Sequence, residues 1–294
     1  PAYNEEDSIE GTVRALLSIE YPEGKKEIIV VNDGSKDRTA SIVRKLMKNH
    51  KEIRLIDKKN SGKANSLNQA IKIAKGELIA VVDADSYPGK DSLYKMVGYF
   101  EDKKVAAVTS RVLVKNTSNI IEKFQAVDYA VIAWSRKILD FIGCVYVTNG
   151  PLSIYRKEVV VRLGGFDSKN LTEDIELTWH ILSFGYKTKM SYATEVYTTV
   201  PSKFKKWVLQ RVRWNLGGLQ TLYKYRRYFL RSRNLFGYFV INYVGLAFIL
   251  ALVGFFLLLR FLFLKLIFYL SLTPFLFKGY NPFSYMEFYY PLTL

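Results

Sequence analysis

An α/β domain with a doubly wound, mainly parallel sheet, continued into an apolar C-terminal tail, is the architecture this sequence predicts. Three observations carry it. Short β-branched runs alternate with amphipathic segments of helical period through the first part of the chain. Acidic residues stand at the ends of two of those runs, where ligands bind in such sheets. The charge is divided: residues 1–200 hold 30 Lys/Arg against 26 Asp/Glu, and residues 201–294 hold 13 against 1.

The elements follow in order. Residues 5–18 have helical spacing, with Asn4 as the expected cap. Glu27 to Val31 is an apolar, β-branched strand, ended by the turn signal Asn32-Asp33-Gly34-Ser35. Ile42, Val43, Leu46 and Met47 place a helix over 37–48, and Ile53 to Ile56 is a second strand. Helix 63–74 carries Leu67, Ala70, Ile71 and Ala74 on one face. Leu78 to Val82 is a third strand, ended by Asp83-Ala84-Asp85. Helix 90–100 and strand 105–114 follow. Residues 119–139 are amphipathic, 145–155 return to the sheet, a helix begins near Glu173, and short strands near 187–199 close the domain. Strands alternating with helices of this length argue a parallel sheet covered on both faces. The chain opens on Pro1 in a loop, and a strand is expected to precede it.

The division of charge sets the domain organisation: 1–200 as the α/β domain, 201–234 as a basic region, and 235–294 as a membrane region. Residues 203–233 carry ten Lys/Arg and no acid, interleaved with Phe204, Trp207, Trp214, Tyr223, Tyr225, Tyr228 and Phe229. That pattern predicts a helix at a bilayer interface rather than a nucleic-acid binder. Leu235 to Leu259 lacks any charge; at ~1.5 Å per residue it spans ~37 Å, enough for a ~30 Å hydrocarbon layer. A second apolar stretch, 261–277, contains Lys265 and reads as a second span, a re-entrant piece or an interfacial helix, with a very short turn holding Arg260 between it and the first. The bias of positive charge places residues 1–233 in the cytoplasm. A single cysteine, Cys144, excludes a disulfide framework, and two histidines leave little for a histidine metal site.

The candidate chemistry is acidic. Asp33 ends one strand, and Asp83 and Asp85 end another. An Asp-x-Asp at a strand end can hold a hard divalent cation, which can neutralise a diphosphate, although Asp also serves as a plain turn former there. No glycine-rich dinucleotide or P-loop motif follows either strand. Thr172-Glu173-Asp174 precedes a helical run, where its acids either complement the helix dipole or supply a general base facing the same cleft. Gln210, Arg213 and Trp214 lie at i, i+3 and i+4 and share a helix face able to bind phosphate and stack on a sugar.

Taken together, Asp33-Gly34-Ser35, Asp83-Ala84-Asp85, Thr172-Glu173-Asp174 and Gln210-Arg211-Val212-Arg213-Trp214 resemble, in identity and order, the motifs of family 2 inverting glycosyltransferases. The last is similar to the Q-x-x-R-W signature of the membrane-embedded processive branch, which includes cellulose, chitin, hyaluronan and poly-N-acetylglucosamine synthases. The segment from Thr172 to Trp179 looks most like the poly-N-acetylglucosamine synthases, and Gly150-Pro151-Leu152 more like the hyaluronan synthases. The resemblance covers about residues 1–220 and implies a GT-A-like fold.

The resemblance also implies roles. Tyr3, Glu5 and Asp33 would hold the uridine; Lys63 would approach the diphosphate or Asp83; Asp83 would contact the nucleotide and Asp85 a Mg²⁺ or Mn²⁺ ion. Asp174 would be the general base, with Glu173, Asn149 and Gly150 near the acceptor sugar. Gln210, Arg213 and Trp214 would close over donor and acceptor. The implied partners are a UDP-sugar, a glycan acceptor and the bilayer, with room for an accessory membrane subunit and none for nucleic acid. The expected activity is inverting transfer, with N-acetylglucosamine the best-supported sugar, to a growing β-linked polysaccharide. The alternatives are single-sugar transfer to a polyprenyl phosphate, or a non-catalytic basic membrane protein.

Overall fold

Ile28–Asp33 (β1) and Ile53–Lys58 (β2) pair in parallel, with Ile28 opposite Ile53 and Asp33 opposite Lys58. Their β-branched residues are driven inward: Ile28, Val30 and Ile53 pack with Ile9 and Val13 of α1 (Ile9–Leu17) and Val43 and Leu46 of α2 (Thr39–Met47). Ala2 bridges Asn32 in parallel, so the opening residues lie beside β1. The computed structural model describes residues 1–229 and 235–277. Residues 230–234 of the expected basic region and 278–294 of the expected membrane region lie outside the described residues.

The second sheet has five strands in the order β3-β6-β5-β7-β4, formed by Leu78–Val81 (β3), Ser86–Pro88 (β4), Val105–Val114 (β5), Ser153–Arg156 (β6) and Lys187–Thr198 (β7). Here the expected, mainly parallel arrangement is corrected. β5 and β7 pair in parallel, but β3–β6, β5–β6 and β4–β7 are antiparallel, so the sheet is mixed. The apolar composition of a central strand reports burial on both faces but carries no direction.

Helices cover both faces, as expected. α3 (Lys63–Ile73), α6 (Lys157–Arg162) and α7 (Glu173–Ser183) bury Leu67, Ile71, Val159, Leu177 and Ile181 against one face. α4 (Ser92–Val97) sets Met96 against Val108, Ile154 and Val196 on the other. α5 (Ile120–Phe141) begins with a capping box: Asn119 accepts from the Glu122 amide and the Glu122 carboxylate accepts in return. The first helix departs from expectation. Ser8 occupies its N-cap, while Asn4 adopts φ 55° and accepts from the Lys36 amide at 2.9 Å. Asn4 therefore ties the opening loop to the turn after β1 and caps nothing.

α8 (Phe204–Lys224) packs onto the loop before α7 at Gly217, where a Cβ would fall 2.3 Å from Thr172 Oγ1. Beyond it, the Trp179 ring of α7 lies 6.0 Å from Tyr225 and 5.3 Å from Phe236. Tyr225 also donates its hydroxyl to buried Glu176 at 2.9 Å.

The chain divides into two units, Pro1–Asn242 and Tyr243–Leu294. The described part of the second is the body of α9 (Ile241–Phe277). The window Phe236–Ser271 is long and apolar enough to cross a membrane, with mean hydropathy 2.7. The expected turn at Arg260 is absent: helix runs unbroken through Arg260 and Lys265. Neither residue breaks a helix, and both long side chains can reach outward from an apolar stretch.

Candidate active site

The carboxyl ends of β1 and β3, the start of α3 and the start of α7 bring the predicted acids into one region. Asp33 is buried at the end of β1, and its carboxylate is fully engaged. It pairs with Lys58 and accepts from the amides of Ser61 and Gly62, each at 2.9 Å. Burial works against its charge, but Lys58 and the two amides hold its pKa below the usual carboxylate value. The turn depends on Gly34, with φ +74° and no room for a Cβ beside the Asn60 amide nitrogen at 2.7 Å. Asp33 thus pins the 58–62 loop that launches α3 and its first residue, Lys63.

Lys63 joins two motifs that are far apart in sequence. Its ammonium lies 2.6 Å from Asp83 Oδ1 and 3.0 Å from Glu173 Oε1. Burial opposes that charge, but Asp83, Glu173 and Asp174 outweigh it and raise the lysine pKa well above its ordinary value. Asp83 is seated by its own amide, which donates to the Gly150 carbonyl at 3.0 Å. A Cβ on Gly150 would meet the Asp83 carboxylate at 2.3 Å, so any larger residue must turn that carboxylate aside.

Asp174, next to Glu173 at the start of α7, is held up to about 6 by burial and by Glu173, against the opposing pull of Lys63. Its Oδ1 accepts from the Ile175 amide at 2.9 Å. Its carbonyl accepts from Thr178, and Thr178 is linked through Thr148 to Tyr155. This chain of hydroxyls fixes the 145–150 segment to the helix bearing Asp174. Asn149 sits on that segment: its Oδ1 accepts from Thr109 at 2.7 Å, while its Nδ2 is buried with no partner. A buried, unpaired amide donor is costly, and a bound hydroxyl would satisfy it.

Asp85 is held up to about 6 by burial, then by repulsion from Asp83 and Glu5. A divalent cation would relieve that repulsion, and the donors are hard oxygens. Among the described residues no group of three His, Cys, Asp or Glu converges on one point. The residues therefore fit a cation shared between one or two carboxylates and phosphate oxygens, as a weakly dehydrating Mg²⁺ or Mn²⁺ prefers. Glu5 also accepts from Ser8 at 2.7 Å, and Tyr3 is exposed.

The expected face of α8 is only partly realised. Gln210 and Trp214 are half-buried, and Gln210 Oε1 is buried without a partner. Arg213 is exposed and makes no ion pair among the described residues. Arg211 packs instead, 4.3 Å from the Trp214 ring and 2.7 Å from Asp128 of α5, an ion pair by distance without hydrogen-bond alignment. Trp214 in turn lies 6.4 Å from Tyr129.

α5 contributes groups that sequence reasoning did not single out. Tyr129, pushed up to about 12 by burial, feels both Arg211 and Asp85. Arg136, lowered by burial, faces Tyr146, Asp174 and Tyr129. Their spacing of seven on an amphipathic helix was the available signal, since it places both on one face.

Residues 1–164 match the family described as Glycosyl transferase family 2. Two curated relatives are the poly-beta-1,6-N-acetyl-D-glucosamine synthases of Staphylococcus aureus (strain MSSA476), 36% identical over 222 residues, and of Staphylococcus epidermidis, 35% identical over 223. Each alignment covers 75% of this chain and 53% of the relative, so the chain spans about half the length of the curated relatives it matches. Among solved structures, the mannosyltransferase PcManGT from Pyrobaculum calidifontis in complex with GDP-Man and Mn²⁺ aligns with TM-score 0.69 and 25% identity, over 83% of this chain and 67% of that one. S. aureus TarS 1-349 in complex with UDP-GlcNAc aligns with TM-score 0.53 and 21% identity, over 69% and 58%, a likeness of fold.

Proposed function

Because the chain belongs to glycosyl transferase family 2, we propose that it transfers N-acetylglucosamine from UDP-N-acetylglucosamine to the end of a growing β-linked polysaccharide, with inversion at the anomeric carbon. The sugar is the one named in the curated relatives. The observation that carries the reading is the bridge of Lys63 between Asp83 and Glu173, which gathers donor-side and acceptor-side acids around one cation.

The chemistry is a single in-line displacement. Asp174, ionised above about pH 6, takes the proton of the attacking hydroxyl, and its raised pKa suits a base working near neutrality. Asn149 Nδ2 donates to the acceptor and orients it. Asp33, Tyr3 and Glu5 line the nucleotide side, and Gln210 and Trp214 cover the sugar. Lys63 has its charge beside the departing diphosphate, and Arg213 is free to swing toward it. Asp85, with Asp83, would hold the divalent cation, which supplies charge neutralisation for the leaving UDP when bound.

The α/β unit lies on the cytoplasmic side, since ten Lys/Arg within 203–233 precede the apolar helix. A cysteine replacing exposed Ser41, in a Cys144→Ala background, should resist a membrane-impermeant reagent in intact cells and react after lysis; labelling in sealed cells would overturn that orientation. The activity is tested by supplying membranes bearing the full-length protein with a panel of UDP-sugars. A ladder of products from UDP-N-acetylglucosamine supports the reading, whereas one sugar on a polyprenyl lipid favours the simpler transferase.

A further inference from the structure

At the end of α8 a cavity of about 480 Å³ opens between the 167–170 loop and the last turns of the helix. None of the carboxylates assigned above to catalysis lines it. Its wall carries four cations, Lys169, Lys224, Arg226 and Arg227, and one acid, Asp167. That acid shares one cation with a second acid: Lys224 Nζ lies 2.8 Å from Asp167 and 2.6 Å from buried Glu176. Among the described residues Lys169 and Arg227 make no ion pair. One carboxylate charge is left over from that shared pair, and three cationic side chains face it, so the cavity keeps an excess of two positive charges.

The cavity is also preformed. Arg226 lies 3.9 Å over the Tyr223 ring, and its Nη1 donates to the Tyr223 carbonyl at 2.8 Å. A stacked, hydrogen-bonded guanidinium is held in place and keeps further N–H donors at its edge. Gln220 ties the opposite wall: its Nε2 donates to the Lys169 carbonyl and its Oε1 accepts from the Leu171 amide, both at 3.1 Å. One fixed guanidinium with spare donors, beside two unpaired cations in a concave site, suits a phosphate group.

The place of the cavity in the chain selects the source of that phosphate. Arg226 and Arg227 stand between Tyr225 and Tyr228, whose rings lie 5.7 and 5.5 Å from Phe236. Phe236 opens the apolar window Phe236–Ser271. Basic residues at the cytoplasmic foot of a membrane helix meet a surface already rich in anionic headgroups. We infer that this cavity binds the phosphate of an anionic phospholipid, seating one headgroup beside the start of the membrane helix. The inference rests on membrane attachment and is independent of the donor sugar.

Native mass spectrometry of the full-length protein in detergent tests it, with phosphatidylglycerol, phosphatidylcholine and glycerol 1-phosphate as probes. Phosphatidylglycerol should be retained in preference to phosphatidylcholine. Lys169→Gln with Arg227→Gln should weaken that retention about tenfold or more, since both act at the headgroup. Lys205→Gln with Lys206→Gln removes the same charge from the exposed start of α8 and should change it less than about twofold. Should the first pair fail to fold, Arg227→Gln alone, at an exposed and unpaired position, should still lower retention. Equal losses from the two pairs, or no preference for phosphatidylglycerol, would overturn the inference. Displacement of the lipid by glycerol 1-phosphate at equal concentration would also overturn it, in favour of a soluble phosphate compound.

Discussion

Gly150 lies directly under the carboxylate of Asp83, leaving no space for even a methyl group between them. Asp83 is at the same time paired with Lys63, so an added Cβ at 150 must turn the Asp83 side chain away from that lysine. Gly150→Ala should therefore raise KM for the donor about tenfold or more while leaving the thermal midpoint within a few degrees, as sub-ångström placement governs such sites. Donor KM at the wild-type value would show that the close approach has no bearing on the nucleotide.

Asp174→Asn should preserve donor binding and lower the transfer rate by about 10²–10⁴-fold, the usual worth of a positioned base. Nucleotide binding by calorimetry alongside turnover separates the two effects. Transfer at near wild-type rate would assign the proton to another group.

The same carboxyl sets a pH profile. Its folded pKa of about 6 lies above the ordinary 3.8, so the native state favours the protonated form. Turnover should rise as pH increases through about 6 and level off above it. Stability carries the opposite sign: the contribution of this group is fully present below its unfolded pKa of 3.8 and is lost as pH rises through about 6. Asp174→Asn should flatten both slopes, as read from initial rates and chemical denaturation across pH 4–8.

A chelator should abolish transfer, and added Mn²⁺ or Mg²⁺ should restore it. Asp85→Ala should weaken Mn²⁺ binding measured directly in the presence of UDP, because the carboxylate and the diphosphate would share the ion. Full turnover of the unaltered protein in excess chelator would remove the cation from the reaction.

On α8, Trp214→Ala should reduce synthesis far more than Trp207→Ala. Trp214 is sandwiched with Arg211 against Tyr129 of α5, whereas Trp207 has Phe204 of its own helix as its ring neighbour. Equal losses would point to a shared role in anchoring.

Much of this was legible in the residues. Strand β5 falls where its β-branched run begins and ends, and Asp83-Ala84-Asp85 stands at a strand end because an apolar run gives way there to turn formers. The meeting of Lys63 with Asp83 was open to sequence reasoning through family likeness, not through spacing. Strand direction was not legible, because Ser153–Arg156 reads the same in either sense and only its partners decide. Nor was the choice of Arg211 over Arg213 against Trp214, which depends on where α5 lies across α8. Arg136 and Tyr129 escaped notice for the same reason: an amphipathic helix advertises a face but not what that face will meet.

The docking of Phe236 on Trp179 has a bearing on how a polymer could grow. Trp179 follows Asp174 by five residues on α7, ~7.5 Å along the axis at ~1.5 Å per residue. The clasp of aromatic rings ties the helix that bears Asp174 to Phe236, where the chain turns apolar. Under the proposed polymerisation, Asp174 could follow a new chain end only by parting Trp179 from Phe236, so the product would advance past a base held in place.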